Sequence, residues 1–351
     1  MGGNAWKRTG VQVWRARPTM NDVAREAGVA LKTVSRVVNG EPGVSLATAE
    51  RVNRAITRLR YRRNDLARRL RSHAPTAAMG LVVEDVTDPF SAAIVRAAEE
   101  VVRDLGWVVV AGSSDQDGER ERRLVAQMVE RQVDGMLIVP AAGDHRYLLP
   151  ESRRGMPVVF LDRPPVGIRA DTVLLDNRAG ARAGVADLVG AGHRRIGVVG
   201  GRPALQTVAE RMAGYRDALA GAGLPFEPQL ARLSTGPLEE AEAAARSLLS
   251  SGLGPTALFA LSGHHAVGVV RAAVAAGRPV AVLTFGAFDL ADLMPCPVTV
   301  VDFDAGEMGR RGAEMLLDRL DGNAGPPRTV VLPTRLRSRA SGATRSGSPP
   351  T

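Results

Sequence analysis

Apolar residues recur along this chain with two rhythms, and the change from one to the other falls near residue 77. In the first part the spacing is helical. Hydroxyl-bearing Thr19 and acidic Asp22 open a helix whose apolar positions are Met20, Val23, Ala24 and Ala27, and Gly28 closes it. After Gly28-Val29-Ala30 a second helix is predicted from Leu31 to Val38. Val34, Val37 and Val38 form its inner face, with Lys32, Thr33, Ser35 and Arg36 outside. Asn39-Gly40 and Pro42-Gly43 stop it, and Ser45 caps a third helix, Leu46 to Leu59, which packs Val52, Ala55, Ile56 and Leu59 against the pair. Two short helices joined by a glycine-bearing turn read as a helix-turn-helix, which lays its second helix in the major groove. A fourth helix, Asn64 to Arg71 with Asn64 as N-cap, is only about two turns long. Helices that short are marginal in water, so it is expected to fold only against DNA or a partner copy. Ser72 to Thr76, with Pro75, reads as a linker.

From Ala77 the pattern alternates between buried strands and amphipathic helices. The predicted series runs MGLVVEDV (79–86), a helix from Phe90 to Leu105, WVVVAGSS, a helix from Glu119 to Arg131, GMLIVPA, PVVFLD and TVLLDN. A helix near 179–191, RIGVVGG, a helix around 210–222, Ala231–Leu233 and a helix from Glu239 to Leu249 follow. ALFAL, a helix from His265 to Ala276 and VAVLTF complete it. Such alternation predicts a doubly wound parallel α/β fold. In these folds ligands bind beyond the carboxyl ends of the strands, which selects Asp85, Asp88, Phe90, Asp162, Asp176 and the loop around Ser262–His265. A strand-end cap is the competing role for Asp85 and Asp176.

Charge sharpens the division. Residues 1–73 hold 16 Lys and Arg against 5 Asp and Glu, +11, while the remainder holds 30 against 32, −2, which together make the chain's +9. All of the excess lies in the first fifth, as for a polyanion-binding head on a neutral body, or for a solvated basic face. A single cysteine, Cys296, allows no intrachain disulfide and favours a reducing compartment. No apolar run reaches the roughly 18–20 residues that span a bilayer, and residues 1–18 lack the apolar core of a signal peptide. A cytoplasmic protein with no membrane partner is therefore expected. Residues 1–18 are expected to be a disordered leader or to precede the true start, and residues 341–351 a disordered tail.

The ordered motifs identify a resemblance. DVAREAGVALKTVSRVVNG, then VS-x-x-T, then a Tyr-x-x-Asn opening NDLARRL, resemble the LacI family of transcriptional regulators. The body continues in family order with DPF for the usual NPF, VDGMLIVP, PVVFLDR, GHRRIGVVGG, ERMAGYRDAL and TVVLPTRL, so the likeness spans about Thr19 to Gly342. It implies a helix-turn-helix DNA-binding domain over 19–63, a hinge helix and linker over 64–76, and an effector-binding and dimerisation domain of two periplasmic-binding-protein-like subdomains over 77–340. It further implies a homodimer on a pseudo-palindromic operator in double-stranded DNA, controlled by a small-molecule effector such as a sugar, with no cofactor. Family tetramers carry a leucine-heptad tail, which Ser341–Thr351 lacks.

By position, Leu31, Lys32 and Arg36 would read bases; Thr33, Ser35 and Asn39 would bond phosphates. Leu70 would be a wedge driven into the minor groove with Ala67 beside it, and Thr19 and Asn64, which open their helices, complete the DNA-facing set. Effector candidates are Asp88, Phe90, Asp162, Arg211, Ser262 and His264.

Several positions depart from the family pattern. Ala30 replaces a Ser that would cap the second helix, and Arg63 stands where Pro is usual before the hinge. Ser262-Gly263 replaces Asn-Asp, Gly286-Ala287 replaces the Asp expected after Phe285, and Phe303 replaces a Gln. Three polar anchors are thus missing, consistent with a rebuilt pocket or with lost effector response. Adjacent His264 and His265 cannot face one metal from a helix, and His193 reads as a turn residue. Gly200-Gly201 is followed by no Gly-Lys-Ser/Thr, and no nucleophile elbow or paired catalytic carboxylates are found. An enzyme is not expected. A solute-binding protein is the rival reading of the body, opposed by the basic head.

Overall fold

The computed structural model describes residues 18–39, 41–61, 76–141, 143–233, 238–252, 254–288, 291, 294, 296 and 298–339. The expected hinge residues Asn64, Ala67 and Leu70, the leader up to residue 17 and the tail 341–351 lie outside them. The chain divides into two compact units, Met1–Pro75 and Thr76–Thr351.

In the first unit, α1 (Met20–Ala27) begins as its sequence predicts. Thr19 and Asp22 form a reciprocal capping box, and Gly28 (φ +63) ends the helix in the left-handed conformation. α2 (Leu31–Asn39) starts from the Ala30 carbonyl, which accepts from the Thr33 and Val34 amides at 2.9 and 3.2 Å. A methyl group stands there where a Ser would supply a capping oxygen. α3 (Leu46–Leu59) is capped by Ser45. Val23, Val34 and Val52, one from each helix, are wholly buried, and Tyr61 closes the core from the far end of α3. Each buried valine contributes at most ~1.5–3 kcal/mol, so this small core leaves little margin for lost caps.

In the second unit, β1 (Ala78–Val83), α4 (Pro89–Arg103), β2 (Val108–Ser113), α5 (Gly118–Glu130), β3 (Gly135–Ile138), the short α6 (Leu149–Arg153), β4 (Val158–Leu161) and β5 (Asp171–Leu175) come first. They are followed by α7 (Asn177–Gly190), β6 (Ile196–Val199), α8 (Gln206–Gly221), β7 (Ala231–Arg232), α9 (Leu238–Ser250), β8 (Ala257–Ala260), α10 (Gly263–Ala275) and β9 (Ala281–Phe285). The unit ends with β10 (Val298–Asp302), α11 (Ala305–Leu320), β11 (Thr329–Leu332) and β12 (Arg335–Arg337). One sheet is ordered β11-β5-β4-β3-β1-β2 and is parallel throughout. The other is ordered β12-β10-β9-β8-β6-β7, with β12 alone antiparallel. Each sheet builds one subdomain. Along the described residues the chain passes between them after β5, after β10 and between β11 and β12.

The periodic reading finds most of these elements and misplaces some ends. β1 stops at Val83 rather than Val86, because Glu84 and Asp85 are ionisable and turn out of the sheet. α10 begins at Gly263, two residues early, with Ser262 as its cap. α6, β10, α11, β11 and β12 are additions to the expected series. α11 returns to the first subdomain and packs on α4, where a Cβ on Gly309 would lie 2.4 Å from the Ile94 carbonyl oxygen. α7 and α8 approach as closely, with Gly214 facing the Arg178 carbonyl.

Candidate functional site

On the helix-turn-helix, the outward face of α2 starts with Leu31, 46% exposed although apolar, and with exposed Lys32. Thr33, Ser35 and Arg36 are half-buried along the same helix, and Asn39 is its last residue. An exposed leucine at the start of a helix that buries Val34 wholly is an apolar tip offered outward. Thr19 is engaged within its own helix. Its hydroxyl donates to the Asp22 carboxylate at 2.7 Å while accepting from the Asp22 amide, so this side chain serves as a cap. Those bonds and nearby Arg25 hold the Asp22 carboxyl below its ordinary range.

The second candidate site lies between the two subdomains at the carboxyl ends of their strands. From the first subdomain come Glu84 and Asp85 after β1, Asp88 as the N-cap of α4, Phe90 on its first turn, and Asp162 after β4. Asp162 is 4% exposed and left-handed (φ +67), a conformation aspartate tolerates better than most residues. Burial pushes its carboxyl above the usual range, against the pull of Arg163 and Arg211. Burial likewise raises Asp88. Arg163 donates to Glu84 Oε2 at 2.9 Å and to the Pro140 carbonyl at 2.7 Å, and its Nε stands 3.2 Å from the Asp162 carboxylate. The Gln116 amide holds the other oxygen of Glu84.

From the second subdomain, Arg211 on α8 is 8% exposed. Its Nε donates to Asn177 at 2.8 Å, its Nη1 to the Leu261 carbonyl at 2.6 Å, and the guanidinium lies 3.9 Å from the centre of the Phe285 ring. Burial lowers its pKa to about 10, so it stays charged at neutral pH. Among the described residues no hydrogen bond or ion pair joins Arg211 directly to Asp162, and Nη2 of Arg211 carries no hydrogen bond. Phe303 closes the aromatic wall, its ring centre 5.8 Å from both Phe285 and Phe90. A cavity of about 680 Å³, within the range of small-molecule sites, is lined by Phe90, Ala93, Ala287, Phe303, Asp304 and Arg337 among others.

Of the expected effector residues Phe90 lines that cavity, while Asp162 and Arg211 lie buried outside its lining and are linked to each other electrostatically, as Asp88 is to Glu84 and His264. Ser262 caps α10, and its hydroxyl is 2.6 Å from Nδ1 of His265. His264 is exposed, within electrostatic reach of Asp85 and Asp88. Its neighbour His265 is the half-buried ring, pushed down to about 4 by burial and by His264, and hence neutral. A one-residue step turns a helix by about 100°, which is why adjacent histidines part company. Asp176 accepts from the Ala179 amide as the cap of α7, and Asp85 accepts from Thr87, so both act as caps. His193 does sit in a turn, but it is buried and bonded to Thr256 at 2.8 Å.

Glu84, Gln116 and Asn177 carry no sequence signal that marks them for the site, and Arg163 enters only as the last residue of PVVFLDR. The RIGVVGG, PVVFLDR and MGLVVEDV motifs place loops at strand ends, and the charged residue following each strand was the available signal. The missing polar anchors are replaced by close packing. A Cβ on Gly263 would stand 2.6 Å from the Ala287 carbonyl oxygen, and one on Gly286 (φ +87) would stand 3.3 Å from the Phe303 ring.

Residues 19–64 match the family described as bacterial regulatory proteins, lacI family, and residues 76–340 match periplasmic binding proteins and sugar binding domain of LacI family. The chain is 34% identical over 340 residues to the HTH-type transcriptional regulator CelR of Thermobifida fusca, covering 93% of this chain and 99% of that one. It is 31% identical over 334 residues to the maltose regulon regulatory protein MalI of Escherichia coli (strain K12), covering 91% and 97%. Among solved structures, a CelR–cellobiose complex superposes with a TM-score of 0.69 at 32% identity, covering 93% of this chain and 100% of that one. The lac repressor dimer bound to operator and the anti-inducer ONPF gives 0.77 at 25% identity, covering 93% and 99%. With both parts matched and relatives above 30% identity along nearly the whole length, the chain belongs to the LacI family of bacterial transcriptional regulators.

Proposed function

We propose that this regulator is a cytoplasmic homodimeric repressor of carbohydrate genes, released from a pseudo-palindromic operator by a sugar bound between its subdomains. The observation that carries the effector reading is the arrangement of Asp162 and Arg211. Both are buried, they lie on opposite subdomains, and each is anchored by neighbours without being bonded to the other. In this reading a ligand bearing adjacent hydroxyls reaches both from the cavity beside Phe90 and Phe303, donating to the carboxylate and accepting from the guanidinium. Phe90 and Phe303, which line the cavity and meet edge to face, offer rings for the apolar side of a pyranose, with Phe285 buried behind them.

In this reading residues 19–63 read DNA with Leu31, Lys32 and Arg36, while Thr33, Ser35 and Asn39 hold phosphates. Residues 64–76 carry the hinge, Asn64, Ala67 and Leu70 among them, and residues 77–340 sense the effector. Ser262 and His264 act at the cleft rim. No chemistry is required of any residue; the molecule works by shifting between two arrangements.

The CelR relative is seen with cellobiose, which makes β-linked glucose disaccharides the first compounds to try. Titration calorimetry of the full-length protein against cellobiose, maltose, ribose and other sugars, with operator binding followed in parallel, tests the proposal. A saturable heat that disappears in Asp162→Asn and accompanies operator release supports it. Intact operator binding with no heat from any sugar would instead favour a regulator that no longer responds to an effector, the second reading motivated by Gly286, Ala287 and Phe303.

A further inference from the structure

Contacts run in series across the rim of the cleft. Arg202, in the loop between β6 and α8 of the second subdomain, donates from Nη1 to the Gln116 carbonyl at 3.1 Å. Gln116 belongs to the turn between β2 and α5 of the first subdomain. Its side chain is tied to Glu84, Glu84 to Arg163, and Arg163 stands against Asp162. The acceptor is held firmly. Asp115 and Gln116 are both left-handed without being glycine (φ +52 and +58), a conformation that persists only where neighbours impose it. The Asp115 amide bonds the Glu84 carbonyl at 2.8 Å, and its carboxylate pairs with Arg120.

The donor loop is equally fixed. Gly200 and Gly201 have φ of +92 and +88, and a Cβ on Gly200 would lie 2.5 Å from the ring of His265, which in turn bonds Ser262. Each end of the Arg202–Gln116 contact thus leads back to a residue at the effector cleft. Nε of Arg202 is buried without a partner among the described residues. An arginine at a cleft rim could turn outward and hydrate every nitrogen. Here one nitrogen forgoes water so that another reaches a carbonyl on the opposite subdomain.

We infer that Arg202 is a latch between the subdomains, a positioning residue that holds the cleft closed by gripping the Gln116 carbonyl. The latch rests on cleft geometry alone, so it holds whichever molecule fills the site, and failure of the sugar assignment leaves it untouched. Opening the cleft breaks the bond and rehydrates Nε, which gives the contact two discrete states rather than a graded one.

The test is a distance distribution from pulsed electron paramagnetic resonance on the full-length protein. Cys296→Ser removes the native thiol, and spin labels are placed at Ala126→Cys on α5 and Ala209→Cys on α8, both exposed. With the labelled chain diluted into excess unlabelled protein, so that each dimer carries one labelled protomer, the parent should give a single narrow distance without added sugar. Arg202→Met should add a longer component, with the open population raised about tenfold, equivalent to ~1.4 kcal/mol. Arg202→Lys, which can still donate to a carbonyl, should recover part of the short component. Circular dichroism and melting temperature close to the parent's show that the longer component is not unfolding; if the Met variant does not fold, the Lys variant decides. Arg202→Met distances superimposing on the parent's, or a Lys variant as open as the Met variant, would overturn the latch.

Discussion

Replacing Arg211 by methionine keeps a long side chain over Phe285 and removes every donor. The structure sets the size of the effect. Two hydrogen bonds from a charged donor, to Asn177 and the Leu261 carbonyl, are worth ~1.5–3 kcal/mol each, and a desolvated guanidinium on a ring about 2 more. Against this gross loss stands relief from burying the charge, the same burial that brings its pKa down to about 10. Breaking a buried charged network at one partner nets ~3–5 kcal/mol, and because Asp162 is coupled to Arg211 without direct contact, the low end, about 3 kcal/mol, is expected. For a unit the size of Thr76–Thr351, with ~1 kcal/mol moving the transition by ~2–4 °C, the melting temperature should fall by about 6–12 °C.

The loss should also depend on pH. The Asp162 carboxyl, already raised above 3.8 by burial, loses one of its two guanidinium partners and rises further. A group with a raised folded pKa stabilises the fold fully below its unfolded value and loses that contribution as pH climbs through the folded one. The deficit of the variant should therefore be smaller at about pH 4 than at about pH 7. Differential scanning calorimetry of both proteins at the two pH values measures it. Unchanged melting would mean that Arg211 does not hold the two strands' loops together, and a deficit equal at both would mean that Asp162 does not feel its charge.

Other consequences concern the head and the packing. Thr19→Ala removes the hydroxyl half of the α1 capping box, typically a loss of about 1 kcal/mol, so it should lower the first unit's melting while leaving base preference alone, with Thr19→Ser as the rescue; altered base preference in a binding-site selection would make Thr19 a DNA contact instead. Lys32→Ala should relax preference at one base-pair position by ~1–3 kcal/mol in competition assays, whereas uniform weakening on all sequences would make Lys32 a phosphate contact. Gly214→Ala would put a methyl 2.2 Å from the Arg178 carbonyl and force α7 from α8. A loss of ~1–3 kcal/mol is expected by denaturant unfolding, and a neutral result would show that the two helices have room to part.

How much of this was legible beforehand depends on the range of the interaction. Caps are local, so Thr19, Gly28 and Ser45 could be read from neighbouring residues, and helical periodicity placed Val34 and Val52 in the core. Strand and helix alternation gave the fold class. It could not say which sheet a strand joins, because β5 and β6 look alike in sequence and belong to different subdomains, and the return of α11 to the first subdomain leaves no periodic mark.

In the cleft, Asp162 and Arg211 were reachable through family motifs. Arg163 closes the same PVVFLDR motif, but its partners could not be read from it; Glu84, Gln116 and Arg202 are ordinary polar residues until folding brings their three loops together. Which of His264 and His265 is exposed depends on helix phase, and the phase follows from α10 starting at Gly263 rather than at His265. The absent polar anchors likewise looked like erosion in sequence. In three dimensions glycines at 263 and 286 let the backbone and Phe303 close the space.

If the outward face of α2 reads a defined DNA sequence, fluorescence anisotropy of the full-length protein will show it, at one fixed salt concentration, on a pseudo-palindromic duplex recovered by selection and on the same duplex scrambled. One dimer per site and a preference of at least about 10³-fold for the selected duplex are predicted. Equal affinity for the two, with the same steep salt dependence, would mean that the basic head binds charge alone and that α2 reads no sequence.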